Sequence, residues 1–143
     1  MTQKSLNQRA MNLLARREHS ASELTTKLLQ AGFELDDINS VIDKLKKVDL
    51  QSDQRFAQGY LRYRSQRGFG DRKIRLELKQ RGVDSNIIDN TFNDAKIDWF
   101  LLATEVRCKR FGDQQPDGYK DRAKQQWFLQ QRGFGHEQIM ECF

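Results

Sequence analysis

Apolar side chains recur along this chain at steps of three and four residues. Leu24, Leu28 and Leu29 form one such stripe, and Ile38, Val41, Ile42 and Leu45 form the next. Phe56, Tyr60 and Tyr63 follow, then Ile74 and Leu78. These steps return a residue to the same side of a 3.6-residue turn, so each stripe predicts an amphipathic helix. No stretch alternates apolar and polar residues long enough to predict a strand. The single proline, Pro116, leaves nearly the whole chain free to be helical. The pattern predicts an all-α protein.

The stripes repeat. Gly32, Gly82 and Gly133 stand 50 and 51 residues apart, and Leu28, Leu78 and Leu129 each lie four positions before them. Phe33, Val83 and Phe134 come one position after; Ile38, Ile88 and Ile139 come six after; Ile42, Phe92 and Phe143 come ten after. Helices commonly stop at a glycine because the residue beyond the last turn takes a positive φ, where a Cβ clashes. The next residue, if apolar, folds back onto the residue four before the glycine in the Schellman arrangement. Each repeat therefore predicts a helix, a glycine stop and a second helix. A further helix is predicted upstream of each pair, at roughly 5–15, 53–64 and 97–111.

The predicted organisation is three tandem three-helix repeats, residues 1–50, 51–95 and 96–143, in an elongated molecule with room to curve. Ser20-Ala21-Ser22-Glu23 has the spacing of a capping box, and Asp53, Asp84 and Asp121 are expected N-caps. The longest break, residues 111–118, is expected to be the most flexible connection. The pentapeptide Gln-Arg-Gly-Phe-Gly occurs at 66–70 and again at 131–135, out of register with the repeat. The second copy contains a helix stop, and the first falls in the turn between two helices of the middle repeat. Neither follows a strand, so the shared spelling reads as turn chemistry rather than a phosphate cradle.

Hydrophobic residues make up 37% and charged residues 31%, which suits small helical units better than one thick core. No apolar run approaches membrane length and the first residues lack a signal-peptide core, so a cytoplasmic protein with no membrane partner is expected. Cys108 and Cys142 show no metal-ligand spacing and read as reduced thiols. His19 and His136 are expected in exposed loops, and Asp36 and Asp37 are explained by the dipole at a helix start. Without a nucleophile–base pair or a metal-ligand set, no catalytic residue, metal or cofactor is expected.

Charge changes the picture more. Residues 55–81 hold nine Lys or Arg against Asp71 and Glu77, a local balance of +7; the remaining 16 basic and 18 acidic residues leave −2. Such a patch favours an anionic partner, nucleic acid or an acidic protein surface. Within it, residues 60–75 interleave arginines with aromatics, a combination that can hold phosphates while rings stack on bases. The alternative reading makes Tyr60, Tyr63 and Ile74 core and the arginines a solvated outer face. Groove reading by a helix-turn-helix is disfavoured, because the second helices carry Asp36, Asp37 and Asp43, or Asp89 and Asp94, where phosphates would repel them.

Three segments together resemble the RecX family of bacterial recombination regulators. The first is residues 14–24 with Lys27 and Leu28; the second is Gly68-Phe69-Gly70 with Ile74 and residues 77–83; the third is residues 128–134. Asp53-Gln54-Arg55-Phe56-Ala57 matches the start of that family's middle unit. Two departures stand out: Asp71 replaces a frequent proline, and a last unit ending at Phe143 implies a short final helix. The resemblance implies a non-enzymatic modulator of RecA, with roles in homologous recombination, DNA repair and the SOS response. Proteins of this kind bind in the groove of the RecA filament on single-stranded DNA. They limit filament extension, ATP hydrolysis, strand exchange and coprotease activity. The expected contacts are Arg62, Arg64, Arg67, Lys73 and Arg75, with Arg16 and Arg17 as secondary ones. Direct DNA binding is expected to be weak, and with no heptad seam the expected state is a monomer. The alternative is a helical DNA-binding module without a recombinase partner, which would bind naked DNA tightly and lose affinity steeply with salt.

Overall fold

The computed structural model describes residues 2–143. Among them are nine α-helices and no strand: α1 Gln3–Arg16, α2 Ala21–Gln30, α3 Leu35–Lys47, α4 Asp53–Gln66, α5 Asp71–Gln80, α6 Ser85–Ala95, α7 Trp99–Phe111, α8 Tyr119–Gln131 and α9 His136–Met140. They fall into two compact units. One takes the residues up to 60 together with 78–91, the other takes 61–77 together with 92–143. The middle three helices, α4 to α6, thus supply residues to both.

In the first unit, α1, α2 and α3 close on Leu6, Ala10, Leu24, Leu28, Phe33, Ile38, Val41, Ile42 and Leu45, all buried. Burying each of the larger side chains stabilises by about 1.5–3 kcal/mol before entropy is set against it. The start of α2 is a complete capping box: Ser20 Oγ accepts from Glu23 N–H at 3.0 Å and Glu23 Oε1 accepts from Ser20 N–H at 3.1 Å. Asp84 caps α6 through Asn86 N–H at 2.8 Å. Asp53 does not cap α4; Ser52 does, accepting from Arg55 N–H at 3.1 Å. The Asp53 carboxylate instead accepts from Ala21 N–H at 2.8 Å, so it ties two helix starts together.

His19 corrects a second expectation. It is buried (1% exposed) rather than in an exposed loop. Its Nδ1 lies 3.0 Å from the Arg17 carbonyl, which can only accept, so Nδ1 carries the proton. The bare Nε2 then accepts from the Lys27 ammonium at 3.2 Å. Its own carbonyl takes the Gln51 amide at 3.1 Å. Burial pushes the pKa of His19 down; the Arg17 carbonyl opposes this, while the Arg17 and Lys27 charges reinforce it.

In the second unit, α7, α8 and α9 close on Ala103, Leu129, Phe134, Ile139 and Cys142. Trp99 stacks on Phe92 with centroids 5.7 Å apart. Asp98 caps α7, whereas Asp121 lies inside α8 and its Oδ2 accepts from Asp117 N–H at 2.9 Å and from Gln125 Nε2 at 3.3 Å. Arg107 is buried among these side chains, with Nε on Gln125 Oε1 at 2.9 Å and Nη2 on the Gln114 carbonyl at 2.7 Å. Its guanidinium also lies 4.8 Å from the Phe143 ring. The connection between α7 and α8 is therefore pinned at its middle. His136 is exposed, as expected, but as the first residue of α9.

The glycine stops take the predicted form. Gly32, Gly82 and Gly133 have φ of 97°, 79° and 98°. The amides of Phe33, Val83 and Phe134 donate to the carbonyls of Leu28, Leu78 and Leu129 at 3.2, 3.1 and 3.2 Å. The same bond joins Phe69 N–H to the Arg64 carbonyl at 3.2 Å, so Gly68 is a further stop of this kind.

Two of these stops are also docking points. In the first unit, Ser20 Oγ donates to the Arg81 carbonyl at 2.7 Å, and a Cβ on Gly82 would run into the Ser22 side chain. In the second unit, Gly70 N–H donates to the Arg132 carbonyl at 2.7 Å and Arg72 N–H to the Gly133 carbonyl at 3.0 Å. A Cβ on Gly133 would overlap Lys73, and one on Gly70 would lie 2.5 Å from the Gly133 carbonyl. One joint is built twice, with a hydroxyl in one case and an amide in the other. In each, the start of a helix sits on the glycine that ends another. The two Gln-Arg-Gly-Phe-Gly copies are the two sides of the second joint.

Gly133→Ala is expected to destabilise more than Gly68→Ala. Both force an L residue into left-handed backbone, at about 1–2 kcal/mol. Only the first also strikes backbone, at Lys73; at Gly68 the near neighbour is the Val106 side chain, at 3.1 Å. The overlap adds about 1–3 kcal/mol; urea denaturation checks the order. His19 gives a second expectation. Its folded pKa lies below the unfolded value near 6.5, so its contribution is complete above that pH and is lost as pH falls through the folded value. Denaturation midpoints should drop as pH falls below the unfolded value near 6.5 in the parent, and the drop should be smaller in His19→Asn.

Candidate functional site

The second unit carries an open groove of about 460 Å³ between the end of α4, α7 and the end of α8. Each wall follows from local chemistry. The Gly68 stop turns the chain out of α4 and leaves Arg67 at the rim. On α7, Leu102, Glu105, Val106, Lys109 and Arg110 follow the three-and-four spacing that puts them on one face. Phe128 and Arg132 close the groove from α8 and its cap.

The groove has an apolar floor and a basic rim. Phe128 packs edge-on against Phe111 at 5.3 Å, which fixes its ring. The guanidinium of Arg110 lies 5.5 Å from that ring and that of Arg132 5.1 Å from it. Arg132 also donates Nη1 to the Arg67 carbonyl at 3.2 Å and sits 4.8 Å from the Phe69 ring. Arg67 in turn lies 5.0 Å from the Tyr63 ring. Four cations, Arg67, Lys109, Arg110 and Arg132, face one acid, Glu105. Guanidiniums held against rings keep their donors forward at little entropic cost, so the arrangement suits carboxylates or phosphates on a partner with an apolar edge. Among the described residues no group of His, Cys, Asp or Glu is placed to hold a metal ion.

The predicted contact residues have several fates. Arg67 lines the groove, and Arg62 is exposed on α4. Arg64 forms a double bridge to Glu77, Nε and Nη2 each at 2.9 Å from a carboxylate oxygen, and lies 3.7 Å over Phe69. Lys73 sits 5.6 Å from that ring, beside Gly133. Arg75 lies 4.3 Å over Phe92. In the first unit, Arg17 bridges Glu23 at 3.2 Å, and Arg16 is exposed at the end of α1. Of the residues that the core reading places inside, Ile74 is buried, while Tyr63 is 54% exposed. Lys109, Arg110 and Arg132 escaped the sequence reading. Arg132 had a signal, since it occupies in the second pentapeptide the place Arg67 has in the first.

Comparison with known proteins gives this architecture its relatives. Three family models match in order: the first three-helix domain of RecX over residues 8–45, the second over 52–91 and the third over 98–143. The regulatory protein RecX of Pseudomonas entomophila is 42% identical over 130 residues, 91% of this chain and 84% of that one. That of Legionella pneumophila is 39% identical over 134 residues, 94% of this chain and 89% of the relative. The chain belongs to the RecX family.

Crystal structures of RecX share the fold of this family member. RecX from Lactobacillus salivarius superposes with a TM-score of 0.82 at 23% identity, covering 98% of this chain and 93% of that one. A second RecX structure gives 0.84 at 22% identity. The curated relatives are named regulatory proteins. No helix among the described residues is long and apolar enough to cross a membrane.

Arg64 and Arg62 separate structural from exposed arginines. Arg64→Ala should cost about 1.5–3 kcal/mol, through the lost charge-assisted bonds and the lost stacking on Phe69. Arg62→Ala should stay within about 0.5 kcal/mol of the parent. Chemical denaturation of the two variants is the check.

Proposed function

We propose that this RecX-family chain restrains RecA, binding the RecA filament on single-stranded DNA and lowering its extension, ATP hydrolysis, strand exchange and coprotease activity. Kinship with named regulators along nearly the whole chain carries the reading. The basic groove of the second unit is its attachment site for acidic groups of the filament, with Arg67, Lys109 and Arg110 as the direct contacts. Arg62 extends the same charge along α4, and Arg16 on α1 is a second point of attachment. Arg64, Arg17, Lys73 and Arg75 contribute by holding the backbone and rings around them. The protein works as a monomer in the cytoplasm, and its own affinity for naked DNA is weak beside its affinity for the filament.

Titration into RecA, single-stranded DNA and ATP should lower ATP hydrolysis at less than one protein per RecA. Unchanged hydrolysis would remove the reading. The variant Arg67→Ala/Lys109→Ala/Arg110→Ala should need several-fold more protein for the same inhibition, with its helicity intact. The difference should shrink as salt rises, because exposed charge pairs are screened over about 10 Å at 0.1 M.

A further inference from the structure

The outer face of α8 carries large exposed rings beside its charges. Tyr119, Ala123 and Trp127 follow one another at four-residue steps, and all are exposed; the two rings are 86% and 61% exposed. Lys120 and Lys124 run along one flank of that ridge, also exposed, and Gln130 and Gln131 complete it. The face carries no carboxylate. The only acid of α8, Asp121, is turned away and spent on Asp117 N–H and Gln125 Nε2. Among the described residues neither ring stacks on another aromatic or a guanidinium, although Phe128, next in sequence to Trp127, has Phe111, Arg110 and Arg132 around it. Large rings left this bare mark a contact surface, since burial would otherwise favour them inside.

Charge and ring placement select the occupant. Eight helical residues span about 12 Å, so Tyr119 and Trp127 stand far enough apart to take separate bases. The lysines, one turn apart on the same side, fall where a strand crossing both rings would carry its phosphates. A face with two cations, two bare rings and no acid has what a single strand offers partners for: phosphates and unpaired base faces. An acidic protein would use the lysines but leave the rings without a specific role.

We propose that the α8 face, Tyr119 and Trp127 flanked by Lys120 and Lys124, binds single-stranded nucleic acid by stacking, without sequence preference. The site is separate from the basic groove and does not rest on the RecA reading.

The test uses the full-length protein and no RecA. The chain has two tryptophans, and Trp99 is already stacked on Phe92, so the exposed Trp127 should report on a strand directly. Adding oligo(dT) at low salt should quench tryptophan emission. Trp127→Phe should keep binding, followed by anisotropy of a labelled oligo(dT), while losing most of the quenching. Trp127→Leu and Tyr119→Leu should each bind roughly fivefold to a hundredfold more weakly. Two phosphate contacts predict a slope of log K against log salt of about −1.4, near zero in Lys120→Gln/Lys124→Gln. All four side chains are exposed, so these variants should melt with the parent. Absence of quenching at low salt would overturn the proposal. So would unchanged affinity in Trp127→Leu, or equal competition by poly-glutamate, which would assign the face to an acidic protein. None of these outcomes bears on inhibition of RecA's ATPase, which stands or falls in its own titration.

Discussion

The structure depends on a joint in which one helix starts on the glycine that ends another. Its requirements are strict and few. The glycine must turn left-handed to stop its helix, and it must lack a side chain because another backbone or side chain occupies that space. At Gly82 the occupant is Ser22; at Gly133 it is Lys73. The carbonyl just before the glycine, left without a helical donor, is satisfied from outside by Ser20 Oγ or Gly70 N–H, each at 2.7 Å. An orphan acceptor at a helix end thus becomes the bond that fixes the next element, a use of the unsatisfied terminus that needs no additional residues. The same joint places Arg132 beside Arg67 and Phe69, so the basic groove is a consequence of how the second unit is assembled.

Much of this was legible in the sequence because it is local. The register of Gly32, Gly82 and Gly133 with the leucines four residues earlier reports a backbone conformation that the residues themselves require. The capping box at Ser20 is equally local. What was not legible is long-range. Asp53 has the identity of an N-cap, yet its carboxylate serves Ala21, 32 residues away in sequence, and Ser52 caps instead. His19 looked like a loop residue because it precedes a cap. It is buried because the Arg17 carbonyl, Lys27 and Gln51 converge on it. The two pentapeptides spell turn chemistry, but nothing in their spelling shows that they face each other.

Counting charge along the chain identified a real excess but not its disposition. Part of it is absorbed internally: Arg55 against Glu18 at 2.6 Å and Asp49 at 3.3 Å, Arg64 against Glu77, and Arg81 3.8 Å from Glu23. These pairs fix helix ends and turns. The rim of the groove takes only Arg67 from the basic stretch and draws Lys109, Arg110 and Arg132 from outside it. A linear tally cannot distinguish a guanidinium that braces the fold from one that faces solvent, because the difference lies in what folding brings within 4 Å.

The surfaces left over differ in kind, and the difference bears on what each can recognise. In the groove the rings lie behind the cations: Phe128 and Phe69 support Arg110 and Arg132 and leave their charge forward. On α8 the rings are in front and the lysines at the side. The first arrangement supplies oriented donors whose freedom is already restricted, so binding a carboxylate or phosphate costs little further entropy. The second supplies flat apolar area with mobile charge beside it, which suits a ligand whose own backbone is flexible and whose bases are unpaired. One scaffold that presents a surface of each kind gains from both, since linked weak contacts multiply in effect.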